Sequence, residues 1–147
     1  MKFTRQFDQM DCGPSCIRMV ASVYGKDYPL SYLRSLSHLT REGVSIAGIR
    51  DALQQIGLRS ATFEMTFEQL REHCPLPAIL HWEQNHFVVL YDVRRSRVTG
   101  KWKYYVANPA YGKHTFDEEG MARYWLNGTK GVVIAIEPTE QFDKIPE

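Results

Sequence analysis

The chain has 147 residues, with 18 Lys and Arg against 17 Asp and Glu and a formal net charge of +1. This length is typical of one domain that can bury a sizeable core, and the near-neutral charge argues against a nucleic-acid footprint. No stretch approaches the roughly 18 apolar residues of a membrane span, the start lacks the apolar core of a signal peptide, and three cysteines are typical of reduced thiols in the cytoplasm.

The first half of the chain is predicted to be mainly helical. Residues 3–11 form an extended lead-in, and apolar spacing from Cys12 predicts a helix that ends at Gly25. Asp11 is a candidate N-cap for this helix, and Pro14 suits its first turn. Three more helices and one strand follow. A helix over 31–36 is capped by Ser31, and a loop over 40–44 leads to a helix that is capped by Ser45 and ends at Gly57. A strand over 58–63 comes next, and the capping box of Thr66 and Gln69 then begins a helix through 72.

The second half is predicted to be an antiparallel sheet. Apolar runs rich in β-branched and aromatic residues indicate strands, joined by short polar links at 83–85 and 94–101. The predicted elements are strands over 77–82, 86–93, 102–107, 113–116 and 132–136, and one helix capped by Asp117, carrying Met121, Tyr124, Trp125 and Leu126, and ended by Gly128. Helices followed by an antiparallel sheet predict an α+β domain over residues 1–137. Residues 138–147 are predicted to be a loose polar tail or the start of a linker.

Cys12 is the first candidate for chemistry. A cysteine at a helix N-terminus meets free backbone N–H groups and the positive end of the helix dipole, which favour the nucleophilic thiolate. The side-chain amide of Gln6 could reach the same place. The alternative is that Cys12 is a small buried apolar residue, the usual role of a lone cysteine.

His86 is the best candidate for the base that a cysteine nucleophile needs. It opens an apolar strand, where a polar residue can face a cleft, and His81 in the neighbouring strand competes for the role. The other three histidines lie in polar contexts and are predicted to be surface residues: His38, His73 and His114.

Asn108 is the candidate for the third member of the site. If strands 86–93 and 102–107 are antiparallel neighbours, the start of one lies beside the end of the other. His86 and Asn108 then meet at one edge of the sheet. The alternative is that Asn108 is an ordinary turn residue before Pro109.

The chain resembles the C39-family peptidase domain, a papain-like cysteine protease usually found at the N-terminus of bacterial peptidase-containing ABC transporters. The resemblance runs from about residue 3 to 137. It rests on five motifs in order: Gln6-x5-Cys12 with Asp11-Cys-Gly-x-x-Cys16, Arg-Glu-Gly-Val-Ser-Ile-Ala-Gly at 41–48, Leu-Pro-Ala-Ile-Leu-His-Trp at 76–82, Asn-His-Phe-Val-Val-Leu-Tyr at 85–91, and Ala-Asn-Pro-Ala-Tyr-Gly at 107–112.

The resemblance implies a role for each matched residue. Cys12 takes the place of the nucleophile, His86 of the general base and acid, and Gln6 of the oxyanion-hole side chain. Asn108 falls where the family usually has Asp before Pro. An amide oxygen can still orient the imidazole, by accepting its Nδ1–H, but it stabilises an imidazolium less than a carboxylate does. Cys16, one helical turn inward, is predicted to be a core residue.

The implied function is cleavage of the leader of a ribosomally made peptide, such as a bacteriocin or pheromone precursor, after a Gly-Gly, Gly-Ala or Gly-Ser pair. Cleavage would be coupled to export by an ABC transporter, in the cytoplasm at the inner face of the membrane, without a metal or other cofactor. Two small residues before the cut imply a narrow channel, for which Trp82 and Tyr111 are candidate wall residues.

Two other functions remain open from the sequence. One is a non-catalytic module that binds a leader and docks it to a transporter. The other is a metal or redox site built on Cys12 and Cys16, although their spacing differs from that of common zinc sites and Cys74 stands alone.

Overall fold

The computed structural model describes residues 1–38, 40, 43–83 and 85–144. Arg41 and Glu42 of the predicted loop, Gln84 of the predicted strand link and residues 145–147 of the predicted tail lie outside this part. The helices are α1 (Cys12–Val23), α2 (Leu30–Leu36), α3 (Ile46–Gln55), α4 (Phe67–His73), α5 (Glu118–Trp125) and α6 (Glu140–Lys144). The strands are β1 (Leu58–Met65), β2 (Ala78–Trp82), β3 (His86–Arg95), β4 (Trp102–Asn108), β5 (Gly112–Phe116), β6 (Leu126–Asn127) and β7 (Lys130–Pro138).

The strands form one antiparallel sheet in the order β1-β7-β2-β3-β4-β5, with β6 paired to β7. The α+β prediction is therefore confirmed. β3 and β4 are adjacent as predicted, and their register shifts between Leu90 and Asp92. Their pairing brings the start of β3 near the end of β4.

Both faces of the sheet are covered, which explains the unbroken apolar run at the start of β3. Phe87 and Val89 enter a core that contains residues of α1, α2 and α3. Val88 and Leu90 enter a second core on the opposite face, with residues of α4 and α5. Because successive side chains of a strand point to opposite faces, a strand buried on both sides is apolar throughout.

Three of the predicted helix caps are confirmed. Ser45 Oγ accepts the N–H of Gly48 at the start of α3, and Asp117 Oδ1 accepts that of Gly120 at the start of α5. The reciprocal capping box of Thr66 and Gln69 opens α4. Each cap satisfies backbone donors that the first turn of a helix leaves unpaired.

Two predicted helix boundaries are wrong. α2 begins at Leu30, one residue before Ser31, and Pro29 occupies the N-cap position without a side-chain cap. α5 ends at Trp125, because Leu126 adopts extended backbone and pairs with Gly131 of β7. None of the helices in the described part of the chain has the length and apolar content that a membrane crossing needs.

The chain after β7 packs against the domain, so the predicted loose tail is wrong for this stretch. Phe142 in α6 is only 2% exposed and belongs to the core on the α1 face. Thr139 donates to the carbonyl of Gly57 through both its N–H and its hydroxyl. Lys26 donates to the Phe142 carbonyl. A linker beyond these residues stays a prediction.

Candidate active site

Cys12 is the first residue of α1, as the sequence predicts, and it is 4% exposed. The following residue, Gly13, allows close packing of this turn against α3. A Cβ atom there would lie 3.1 Å from the Cβ of Val44 and 3.3 Å from a side-chain carbon of Ile49. The thiol therefore lies in the first turn of α1, which packs between α3 and the sheet.

Asp11 precedes the helix but does not cap it, so this part of the prediction is wrong. No side-chain hydrogen bond from Asp11 reaches the first turn of α1. Its carboxylate instead accepts two hydrogen bonds from Arg34 of α2, at 2.7 and 2.5 Å. The lead-in also contains a one-turn 3-10 helix, Gln9–Asp11, which Asp8 caps by accepting the N–H of Met10.

Burial raises the pKa of the Cys12 thiol. Hydrogen bonds from the backbone N–H groups of Phe87, Gly13 and Cys12 itself oppose this effect, and the charge of Asp11 adds to it. The sequence argument that a helix N-terminus favours the thiolate identified one of these effects, but burial outweighs it. Phe87 directly follows His86 in β3, so its N–H brings the thiol near the start of that strand.

His86 and Asn108 meet as the strand order predicts. Nε2 of His86 lies 2.7 Å from Oδ1 of Asn108, which is itself buried. The same oxygen accepts the N–H of Ala110 at 2.9 Å, which identifies it as the amide oxygen rather than the amine. An oxygen acceptor requires that Nε2 carries the proton. The expected contact through Nδ1 is therefore wrong, and Nδ1 is left as the ring nitrogen that can take a proton from a thiol.

Gln6 is tied to the turn that follows Asn108. Its backbone N–H donates to the carbonyl of Pro109 at 3.0 Å, and Arg5 donates to the carbonyl of Ala110 at 3.0 Å. Among the described residues, nothing donates to the buried side-chain oxygen of Gln6. The lead-in is thus held against the strand end that carries Asn108.

The remaining histidines take no part in this arrangement. His81 is half-buried, and its ring stacks on that of Phe87, with centroids 5.1 Å apart. His38, His73 and His114 are exposed, as predicted. The contact with Asn108 therefore identifies His86, rather than His81, as the candidate base.

The two candidate wall residues have very different surroundings. Trp82 is 3% exposed in the second core, and its ring stacks on Tyr124 at 5.2 Å and packs near Phe116 at 5.5 Å. A ring covered in this way offers no wall to a substrate. Tyr111 is 75% exposed, one residue after Ala110, and stays the better candidate.

The other two cysteines are buried in the cores. Burial raises the pKa of Cys16 well above its usual range, and Cys16 is fully buried as predicted. Burial raises the pKa of Cys74 to about 11. Within the described ranges, no three His, Cys, Asp or Glu side chains are grouped as metal ligands. Arg34, which comes from a separate helix and binds Asp11 beside Cys12, is a residue that the sequence did not suggest for this site.

Comparison with known proteins gives the same fold and relates it to transporters. The sequence is 33% identical over 137 residues to the colicin V secretion/processing ATP-binding protein CvaB of Escherichia coli, covering 93% of this chain and 18% of that protein. The chain thus spans about a fifth of the length of such relatives.

Solved structures share the whole domain. A double glycine motif protease from an AMS/PCAT transporter, in complex with the leader peptide, superposes with a TM-score of 0.82 at 26% identity, covering 94% of this chain and 91% of that one. The peptidase domain of Streptococcus ComA superposes with a TM-score of 0.80 at 23% identity, covering 92% and 97%, and shares the fold. The family description "Peptidase C39 family" matches residues 1–141. With this match over nearly its whole length, the chain belongs to the peptidase C39 family.

Proposed function

We propose that the chain is a cysteine endopeptidase that removes the leader of a ribosomally made peptide by cutting after a Gly-Gly-type pair. The observation that carries this proposal is the 2.7 Å contact between His86 Nε2 and Asn108 Oδ1, at the end of the sheet beside the Cys12 thiol. A nucleophile, a base and a group that orients the base are the parts that acyl transfer requires.

The reaction proceeds in two acyl-transfer steps. The Cys12 thiol gives its proton to Nδ1 of His86, and its sulfur attacks the carbonyl carbon of the second small residue. The N–H of Cys12 and the Gln6 amide donate to the oxyanion. His86 then protonates the leaving amine as the C–N bond breaks, which leaves a thioester on Cys12. Water, deprotonated by His86, hydrolyses the thioester and releases the leader.

His86 has a specific task because of the environment of the thiol. Burial holds the pKa of Cys12 above its usual range, so the thiol on its own is protonated at neutral pH. An imidazolium next to the sulfur offsets this cost by pairing with the thiolate. Asn108 supports the ion pair because its Oδ1 accepts a hydrogen bond from Nε2–H in both protonation states of the ring.

The substrate class follows from the relatives. CvaB is a secretion/processing protein, and the double glycine motif protease was solved with a leader peptide. By the same likeness, the domain acts in the cytoplasm at the inner face of the membrane, and the transmembrane and nucleotide-binding regions of an ABC transporter, in the same chain, export the product. The chain spans 18% of the length of CvaB.

The test is cleavage of a synthetic precursor that contains a Gly-Gly leader junction. Mass spectrometry should find two products, one that ends with the second Gly and one that begins with the residue after it. A precursor with Val-Val at the junction should stay intact. Cys12→Ala should abolish cleavage, whereas the matched Cys16→Ala should retain most of it. Binding of the precursor without cleavage by the wild-type protein would favour a leader-docking module instead.

A further inference from the structure

Asp11 and Arg34 form an ion pair directly beside the nucleophile. The Asp11 carboxylate has no exposed surface, and the Arg34 side chain is 32% exposed. Nε and Nη2 of Arg34 donate to the two carboxylate oxygens at 2.7 and 2.5 Å. This two-point geometry is specific to arginine and fixes the orientation of the carboxylate.

The pair also closes the turn between Gln6 and Cys12. One Asp11 oxygen accepts the N–H of Asp8 in a long hydrogen bond of 3.4 Å. The Arg34 guanidinium lies over the ring of Phe7, with its carbon 5.9 Å from the ring centroid. Arg34 therefore contacts both ends of the segment that links the oxyanion candidate to the nucleophile.

The charge of the pair bears on the thiol. An unneutralised Asp11 carboxylate, adjacent in sequence to Cys12, would oppose formation of the thiolate. Among the described residues, Cys16 on α1 lies within reach of the Cys12 charge, Asp8 in the lead-in acts on Arg34, and His86 directly precedes Phe87, whose N–H acts on the thiol. Burial works against the ionised form of Asp11, but Arg34 and the N–H groups of Asp8 and Phe7 outweigh it, so the pKa of Asp11 lies below its usual range.

We propose that Arg34 is a positioning residue of this site: its guanidinium neutralises the buried Asp11 carboxylate and holds the turn that joins Gln6 to Cys12. The role in cleavage rests on the proposed function, whereas the effect on the thiol does not. The two charges act on the thiolate with opposite signs. Loss of Arg34 should disfavour the thiolate, and loss of the Asp11 charge should favour it.

The test is the pH dependence of Cys12 alkylation by iodoacetamide in the whole protein, with tandem mass spectrometry to separate Cys12 from Cys16. Arg34→Gln should move the midpoint upward by about one pH unit, and Asp11→Asn should move it downward. The double variant should return close to the wild-type midpoint. Arg18→Gln, which removes a matched ion pair with the exposed Asp27, should leave the midpoint unchanged.

Opposite shifts identify an electrostatic role, because a general loss of packing would move both variants the same way. Shifts of the same sign, or no shift in either folded variant, would overturn the proposal. If Arg34→Gln does not fold, Asp11→Asn decides, because it buries no unpaired carboxylate; an unmoved or raised midpoint then overturns the proposal. Failure of the wild-type protein to cleave a leader would count against the proposed function only.

Discussion

The side-chain oxygen of Asn108 lies between two donors, 2.7 Å from Nε2 of His86 and 2.9 Å from the backbone nitrogen of Ala110. The backbone donor fixes the amide plane, and the amide in turn fixes the imidazole. The last residue of β4 thus supplies the group that orients the imidazole, and the turn after β4 supplies the hydrogen bond that orients this group. A carboxylate at this position could accept the same two hydrogen bonds.

Replacement of Asn108 tests this arrangement. Asn108→Asp should remain active, because the carboxylate keeps both hydrogen bonds and favours the imidazolium. Asn108→Ala should lower kcat/KM by about tenfold or more, because the ring loses its Nε2 partner. Steady-state cleavage of one leader peptide by the three proteins gives the comparison.

The pH profile of the Asp variant gives the sharper result. A carboxylate beside Nε2 raises the pKa of the imidazolium, so the alkaline limb of kcat/KM should move to higher pH. A fully active Ala variant together with an unmoved alkaline limb would make Asn108 a turn residue before Pro109 and reduce the site to Cys12 and His86.

Gln6→Ala should lower kcat on the order of 10²-fold and change KM little, because an oxyanion donor acts in the transition state. The hydrogen bond from the Gln6 backbone to Pro109 does not depend on the side chain, so the lead-in should stay in place. Full kinetics with one leader peptide separate the two constants. Weaker leader binding at unchanged kcat would instead make Gln6 a substrate-binding residue.

His86→Ala should show how the buried Cys12 thiol titrates when no imidazole is present. Without an imidazolium, burial disfavours the thiolate, so the midpoint of Cys12 alkylation should lie above the ordinary thiol pKa of 9.0. The wild-type protein should react at lower pH, because its thiolate is paired. His81→Ala is the matched control and should follow the wild-type profile. Identical profiles for wild type and His86→Ala would remove His86 from the site.

Phe142→Ala should lower the free energy of unfolding by ~3–5 kcal/mol, the usual cost of truncating a buried phenylalanine. Phe142 is in the core on the α1 face, packed against Gly57 and Tyr24. Val98→Ala, at a highly exposed position, should change stability by less than about 0.5 kcal/mol. Chemical denaturation measures both. Equal stability of the two variants would show that α6 is dispensable for the domain.

Local pattern and strand order are sufficient to predict where Cys12, His86 and Asn108 lie in the fold. Cys12 was identified at a helix start from apolar spacing, and the meeting of His86 with Asn108 followed from the antiparallel order of two strands. The ring nitrogen that contacts Asn108 was predicted wrongly, because the order of strands does not determine the rotation of a side chain.

Predictions failed where a distant residue decides a local structure. Asp11 has the side chain of an N-cap, but Arg34, 23 positions away in the chain, binds its carboxylate. The tail has the polar composition of a linker, yet one of its residues, Phe142, packs against Tyr24 and Gly57. Such partners come together only in the fold, so no local window of the sequence contains them.

Covalent trapping tests the role of Cys12 most directly. A leader peptide that ends in Gly-Gly chloromethyl ketone should alkylate the nucleophile, with loss of chloride. The intact mass of the protein should increase by one peptide adduct, which maps to Cys12, persists in Cys16→Ala and disappears in Cys12→Ala. An adduct on Cys16 or Cys74, or cleavage of a leader by Cys12→Ala, would contradict the assignment of Cys12 as the nucleophile.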